Sequence, residues 1–100
     1  MQLVEVVKAT QPDKKLTAIF RDGNNLIRVS FGSSQHKDYT IYYKEDRAHA
    51  EQMKNAYLAR HRVNEDWNNP LTPGALSRWI LWNKPTVAAS VRDFKKRFRV

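Results

Sequence analysis

Thr72–Thr86 (TPGALSRWILWNKPT) constrains this chain more than any other stretch. Thr72 and Pro73 read as a helix N-cap and first helical residue. The threonine oxygen accepts from an otherwise unpaired N–H, and proline has no N–H to leave unpaired. From Ala75 to Trp82 the segment is apolar nearly all round: Leu76, Trp79, Ile80, Leu81 and Trp82 are interrupted only by Ser77 and Arg78. A helix apolar on most faces belongs inside a structure. Each of its two tryptophans can bury on the order of 200 Å². The helix is therefore expected to sit in the core, both indoles hidden, until Asn83 and Pro85 end it.

With 100 residues, the chain is expected to form a single domain, 1–100, large enough to bury a core without staples. There is no cysteine, which excludes disulfides, zinc–thiolate sites and thiol catalysis. The N-terminal segment lacks an apolar signal region, and no run approaches the roughly 18 apolar residues of a membrane span. A soluble protein with no membrane partner, neither secreted nor membrane-spanning, is the expectation. Charge is the informative quantity: 18 Lys and Arg against 10 Asp and Glu, a formal +8. Residues 1–50 hold eight basic and six acidic residues, whereas residues 51–100 hold ten and four. A half this basic points to an anionic partner, with nucleic acid first and acidic protein surfaces next.

Taken in order, Leu3–Val7 is β-branched and Leu16–Arg21 is a second extended run. Asp22-Gly23-Asn24-Asn25 is a tight-turn signal before Leu26–Phe31, whose apolar residues alternate. Two such runs around Asp-Gly make an antiparallel hairpin, which the first run can join as a third strand. Asp38–Tyr43 (DYTIYY) reads as extended. Glu45–Val63 has no Gly or Pro and reads as a helix with His49, Met53, Ala56 and Arg60 in one stripe. Trp67, in the following connector, is expected to plug into the core. Val87, Val91, Phe94 and Phe98 fall at i, i+4, i+7 and i+11, the apolar stripe of a last helix started by Pro85 and Thr86. The expected architecture is α+β: a small antiparallel meander of about three strands over residues 1–43, then three helices over 44–100, with the Trp-rich middle helix buried.

Catalytic signals are weak. His49 and His61 lie twelve residues apart on one expected helix, roughly 18 Å along its axis, too far to share a metal. No metalloprotease, phosphate-loop or nucleophile-elbow motif is present. Glu65-Asp66, or Asp38 beside His36, could in principle hold Mg²⁺ for a small metal-dependent nuclease. Capping and solvation account for the same residues, so the expectation is no catalytic residue, no cofactor and no small-molecule substrate.

Nucleic-acid binding has more support. Arg92, Lys95, Lys96, Arg97 and Arg99 are dense on the last helix, and Arg60 and Arg62 end the preceding long one. Such side chains can neutralise phosphates, although a solvated helix face uses the same residues. Tyr42 and Tyr43 could stack on bases or meet a protein partner. Arg78, set among tryptophans, has the composition of a protein–protein anchor. No base-reading motif is present, so backbone contact is favoured over sequence readout.

Several of these residues also form a pattern. Phe31-Gly32, Asp38-Tyr39-Thr40, Tyr57 to His61, Glu65 with Trp67, Pro73 to Trp82, Pro85-Thr86 and Arg97-Phe98 span residues 31–98. This pattern resembles a family of small uncharacterised basic proteins of large nucleocytoplasmic DNA viruses. The chain departs from it after Thr40, where related chains have His-Lys-Asp and this one has Tyr42-Tyr43-Lys44-Glu45-Asp46. A role for that histidine does not transfer. The resemblance implies a viral origin and no assigned activity. The expectation is a non-enzymatic, virion- or genome-associated protein in the virion or infected host cell, contacting DNA more readily than RNA. The alternative is a minor capsid protein that contacts the acidic surface of another virion protein.

Overall fold

The computed structural model describes residues 1–100. Three antiparallel strands, β1 (Gln2–Lys8), β2 (Lys14–Asp22) and β3 (Asn25–Ser33), form a meander in the order β1-β2-β3. The tight turn closes on the Asp22–Asn25 pair, which sets Phe20 opposite Ile27, Ala18 opposite Val29 and Leu16 opposite Phe31. One face of the sheet thereby becomes apolar. The run LVEVV does not alternate correctly for that face, and a bulge between Leu3 and Glu5 repairs it. With the bulge, Leu3 pairs with Phe20 and Val6 with Ala18, both beside the apolar face.

The helices follow: α1 (Tyr39–Glu45), α2 (Arg47–His61), α3 (Pro73–Leu76) continuing into a π-helical turn (Ser77–Leu81), and α4 (Val87–Phe98). The expected extended segment at Asp38–Tyr43 is instead the first of these. Asp38 caps it by accepting from the Thr40 N–H at 2.9 Å, the Thr40 hydroxyl bonds the same oxygen, and Lys15 Nζ reaches the other at 2.7 Å. The β-propensity of Thr, Ile and Tyr loses to a cap that satisfies an orphan donor and to burial of Tyr39 and Thr40. The long helix expected over Glu45–Val63 is α2, starting two residues later, and α1 makes four helical elements where three were expected. Asp46 ends α1 in extended backbone and caps α2 through the His49 N–H.

The buried line of α2 runs through Ala50 and Tyr57 rather than the expected His49–Arg60 stripe, and both His49 and Arg60 are exposed. Thr72 and Pro73 start α3 as expected, but the turn then widens, with the Trp82 N–H reaching back five residues to the Ser77 carbonyl at 3.1 Å. Leu76, Ile80, Leu81 and Trp82 are buried with Leu3, Phe20, Phe31, Tyr57 and Phe94 in one cluster. Trp79 is only partly covered, and Trp67 lies outside that cluster. Gly32 is where sheet and helices come closest. Its φ is +80° and a Cβ there would meet Leu81 Cδ1 at 2.6 Å, so only glycine fits. On α4, Thr86 caps through the Ala89 N–H and the stripe closes over the core, Phe94 lying 6.3 Å from Phe20.

Candidate nucleic-acid interface

Residues on an α-helix advance about 100° each. Arg92, Lys95 and Lys96 therefore share a sector of about 100° on α4, beside the apolar stripe. Arg99 follows at the helix end in left-handed backbone, φ 55°, its N–H bonded to the Lys95 carbonyl. All four side chains are exposed. None is within salt-bridge distance of a carboxylate: the contacts of that kind in the chain involve Lys15, Lys37, His61 and Arg97. Cations in the last turn also complement the helix dipole, so part of this charge has a structural use.

Arg97 lies on the opposite flank of α4. It bonds Asp93 at 3.4 Å and lies 3.7 Å over the Trp79 ring. Arg78 lies 4.0 Å from the same ring and 5.5 Å from that of Trp67. One face of an indole has no room for two guanidinium groups this close, so one lies on each face. Trp79 Nε1 donates to the Trp67 carbonyl at 2.9 Å, tying the layer together. Arg78 is half-buried, donates through Nη1 to the Trp82 carbonyl at 2.7 Å, and leaves its Nε unpartnered. Burial, with the Arg97 charge nearby, holds its pKa below the ordinary guanidinium value. Arg78, the protein-anchor candidate, thus makes its contacts within the chain, and Trp67 lies against Arg78 and outside the core cluster.

Arg60 and Arg62 are exposed and unpaired at the end of α2. Helix α2 packs on α1, whereas α4 packs on the π turn. Arg60 lines a cleft of about 760 Å³ that none of the α4 cations reaches. Its walls are the ends of β2 and β3 with the loop to Asp38, the C-terminal half of α2, Glu65, and the α3–π segment.

Within it, His61 stacks on Tyr57 at 4.3 Å and 25°, and Tyr57 stacks on Trp82 at 4.3 Å and 5°. Glu65 fixes the outer ring: its Oε1 meets His61 Nδ1 at 2.9 Å, and its Oε2 accepts from Trp67 Nε1 at 2.9 Å. A Cβ on Gly74 would lie 2.9 Å from that carboxylate, so the acid beds directly on the start of α3. Burial pushes the Tyr57 hydroxyl above the usual phenol range.

Of the tyrosines singled out from the sequence, Tyr42 lines the cleft, 6.4 Å from Trp82, and Tyr43 packs on Tyr39 beneath Arg47. The cleft itself escaped sequence reasoning, because four separate segments build it. The Tyr57–His61 spacing of i, i+4 was the available signal.

All three carboxylates of the nuclease reading hold structural bonds: Asp38 to Lys15 and Thr40, Glu65 to His61 and Trp67, and Asp66 to the Asn68 N–H. No three His, Asp or Glu side chains are grouped to share a metal ion, and no helix is long and apolar enough to cross a membrane. Comparison with models of known families, with curated proteins and with solved structures finds no match.

Proposed function

We propose that this is a non-enzymatic basic protein that binds nucleic acid, DNA before RNA, chiefly through the phosphate backbone. The observation that carries the reading is the α4 sector: Arg92, Lys95, Lys96 and Arg99 are exposed, adjacent and without carboxylate partners. Unpaired cations side by side repel one another and gain most from a polyanion, because each neutralised phosphate releases condensed counterions. Arg97 is left out of this surface, being held by Asp93 and Trp79. The resemblance to small proteins of large DNA viruses favours action in the virion or on the genome in the infected cell.

A mobility-shift titration of duplex DNA tests this. Binding is expected at low salt and weakens steeply at moderate salt, and charge reversal at Lys95 and Lys96 lowers affinity regardless of DNA sequence. Absence of any shift at low salt discards the reading. It would leave protein–protein contact within the virion, with copy number fixed relative to the coat protein, as the alternative to pursue.

A further inference from the structure

The reading above uses only α4 and leaves the cleft unexplained. At about 760 Å³ it falls in the roughly 300–1,000 Å³ range of ligand clefts. Its main feature is the stack His61–Tyr57–Trp82. Trp82 and Tyr57 are 8% and 7% exposed, whereas the His61 side chain is 39% exposed. The stack therefore ends in a ring open to solvent on the cleft wall, held in place by Glu65. Such a ring is a platform already oriented for another flat ring, and unpaired nucleobases stack on histidine as they do on other aromatic side chains.

Charge selects among flat ligands. Lys15 is neutralised by Asp38, Lys37 by Glu45, and Glu65 is held by His61 and Trp67. Two cations on the lining remain unpaired: Arg60, adjacent to His61 in the chain, and Lys14 on the sheet side. One lining carboxylate, Asp13, lacks an ion pair, and it neighbours Lys14. An anionic group thus has its clearest partner in Arg60, one residue before His61 on α2 and on the same cleft lining. The π turn that leads into Trp82 also lines the cleft through Ser77 and Leu81, and π-helical turns recur at functional sites.

We propose that the cleft receives one unstacked nucleotide of single-stranded DNA. Its base extends the His61–Tyr57–Trp82 stack and its phosphate is held by Arg60. This rests on the nucleic-acid reading and adds a preference for unpaired strands, which the α4 sector alone does not produce.

The test is fluorescence anisotropy with a labelled oligothymidylate and a duplex of equal length, using the full chain at one salt concentration. Wild-type protein is expected to bind the single strand more tightly than the duplex. His61→Ala and Arg60→Gln lower single-strand affinity at least fivefold and leave duplex affinity within twofold. His61→Phe, which keeps the stacking face while losing the Glu65 bond, retains most of the single-strand affinity and guards against a folding artefact. Lys95→Gln with Lys96→Gln weakens both ligands. Equal affinity for the two ligands, or cleft variants as tight as wild type, overturns the cleft proposal and leaves the α4 reading standing. Single-strand binding that ignores the α4 substitutions but is lost with the cleft variants overturns the α4 reading instead. No single-strand binding by the wild-type protein overturns the cleft proposal outright.

Discussion

Asp93 illustrates how one carboxylate organises its surroundings. Asn83 Nδ2 donates to it at 2.7 Å, and Arg97 approaches from the next helical turn. Burial pulls its pKa up, but the Asn83 bond and the Arg97 and Lys84 charges outweigh burial and hold it below the usual 3.8. A depressed carboxyl stabilises the fold above its unfolded pKa, and that stability drains away as pH falls through the folded value. Asp93→Asn should therefore unfold at lower urea than wild type near neutral pH, and the gap should narrow as pH falls past the usual carboxyl value of 3.8 and on through the depressed one. A gap constant with pH would show that the charge at Asp93 contributes nothing.

The neighbouring Trp79 was expected to be hidden, because its segment is apolar nearly all round. The two arginines that flank it lie one residue before it and eighteen after, and only the second required the tertiary fold to be known. Trp79→Ala should cost about 2–3 kcal/mol in urea unfolding, below the 3–5 typical of a fully buried tryptophan. A double-mutant cycle with Arg97→Gln should give a coupling of about 0.5–1 kcal/mol. Additive effects would mean that the guanidinium is merely adjacent.

At the scale of elements, the hairpin and α4 were legible because their signals are local. A two-residue turn between alternating runs fixes the register, and an i, i+4, i+7 stripe fixes the buried face. Helix α1 was not, since Thr40, Ile41, Tyr42 and Tyr43 favour strands and one cap decides otherwise. The π turn has no propensity signature at all, and Trp82, which closes it, stacks on Tyr57 of α2. The basic sector of α4 was legible except for Arg97, but the cleft was not, because Lys14, Gly32, Arg60 and Ser77 converge only through tertiary structure.

Asp38 and Asp46 let the capping argument be tested against itself. Both cap helices, but Asp38 is 2% exposed and also holds Lys15, while Asp46 is exposed and caps α2 through one bond at 3.2 Å. Asp46→Ala should cost about 1 kcal/mol, and Asp38→Ala about 2–4 kcal/mol, since it also removes the ion pair to Lys15, which keeps only its bond to the His36 carbonyl. Equal losses in thermal unfolding would show that the Lys15 link joining β2 to α1 is not structural.

For the whole molecule, the formal charge of +8, with histidines neutral, sets self-repulsion against attraction in three Lys or Arg ion pairs. These respond oppositely to salt, which screens exposed charges beyond about 10 Å at 0.1 M. The pairs have little to lose. Lys37–Glu45 is about half-exposed on both sides, of a kind worth near zero to 1 kcal/mol, and Lys15–Asp38 is buried enough to escape most screening. Repulsion is concentrated where Arg92, Lys95, Lys96 and Arg99 crowd one side of α4, so screening it should dominate. Adding NaCl from low to moderate concentration is therefore expected to raise the melting temperature. A gain of about 0.5–1 kcal/mol corresponds to roughly 2–8 °C in a chain of this size. Neutralising Lys95 and Lys96 together should raise the melting temperature at low salt and flatten its dependence on salt. It should also cut the slope of log K against log salt for duplex DNA by nearly two units. If α4 binds DNA as proposed, the same two charges act on stability and affinity with opposite signs, as expected where a surface is kept for a polyanion at the fold's expense. A melting temperature that falls with added salt would mean that the ion pairs outweigh the crowded cations, and would remove the energetic basis for assigning that surface to nucleic acid.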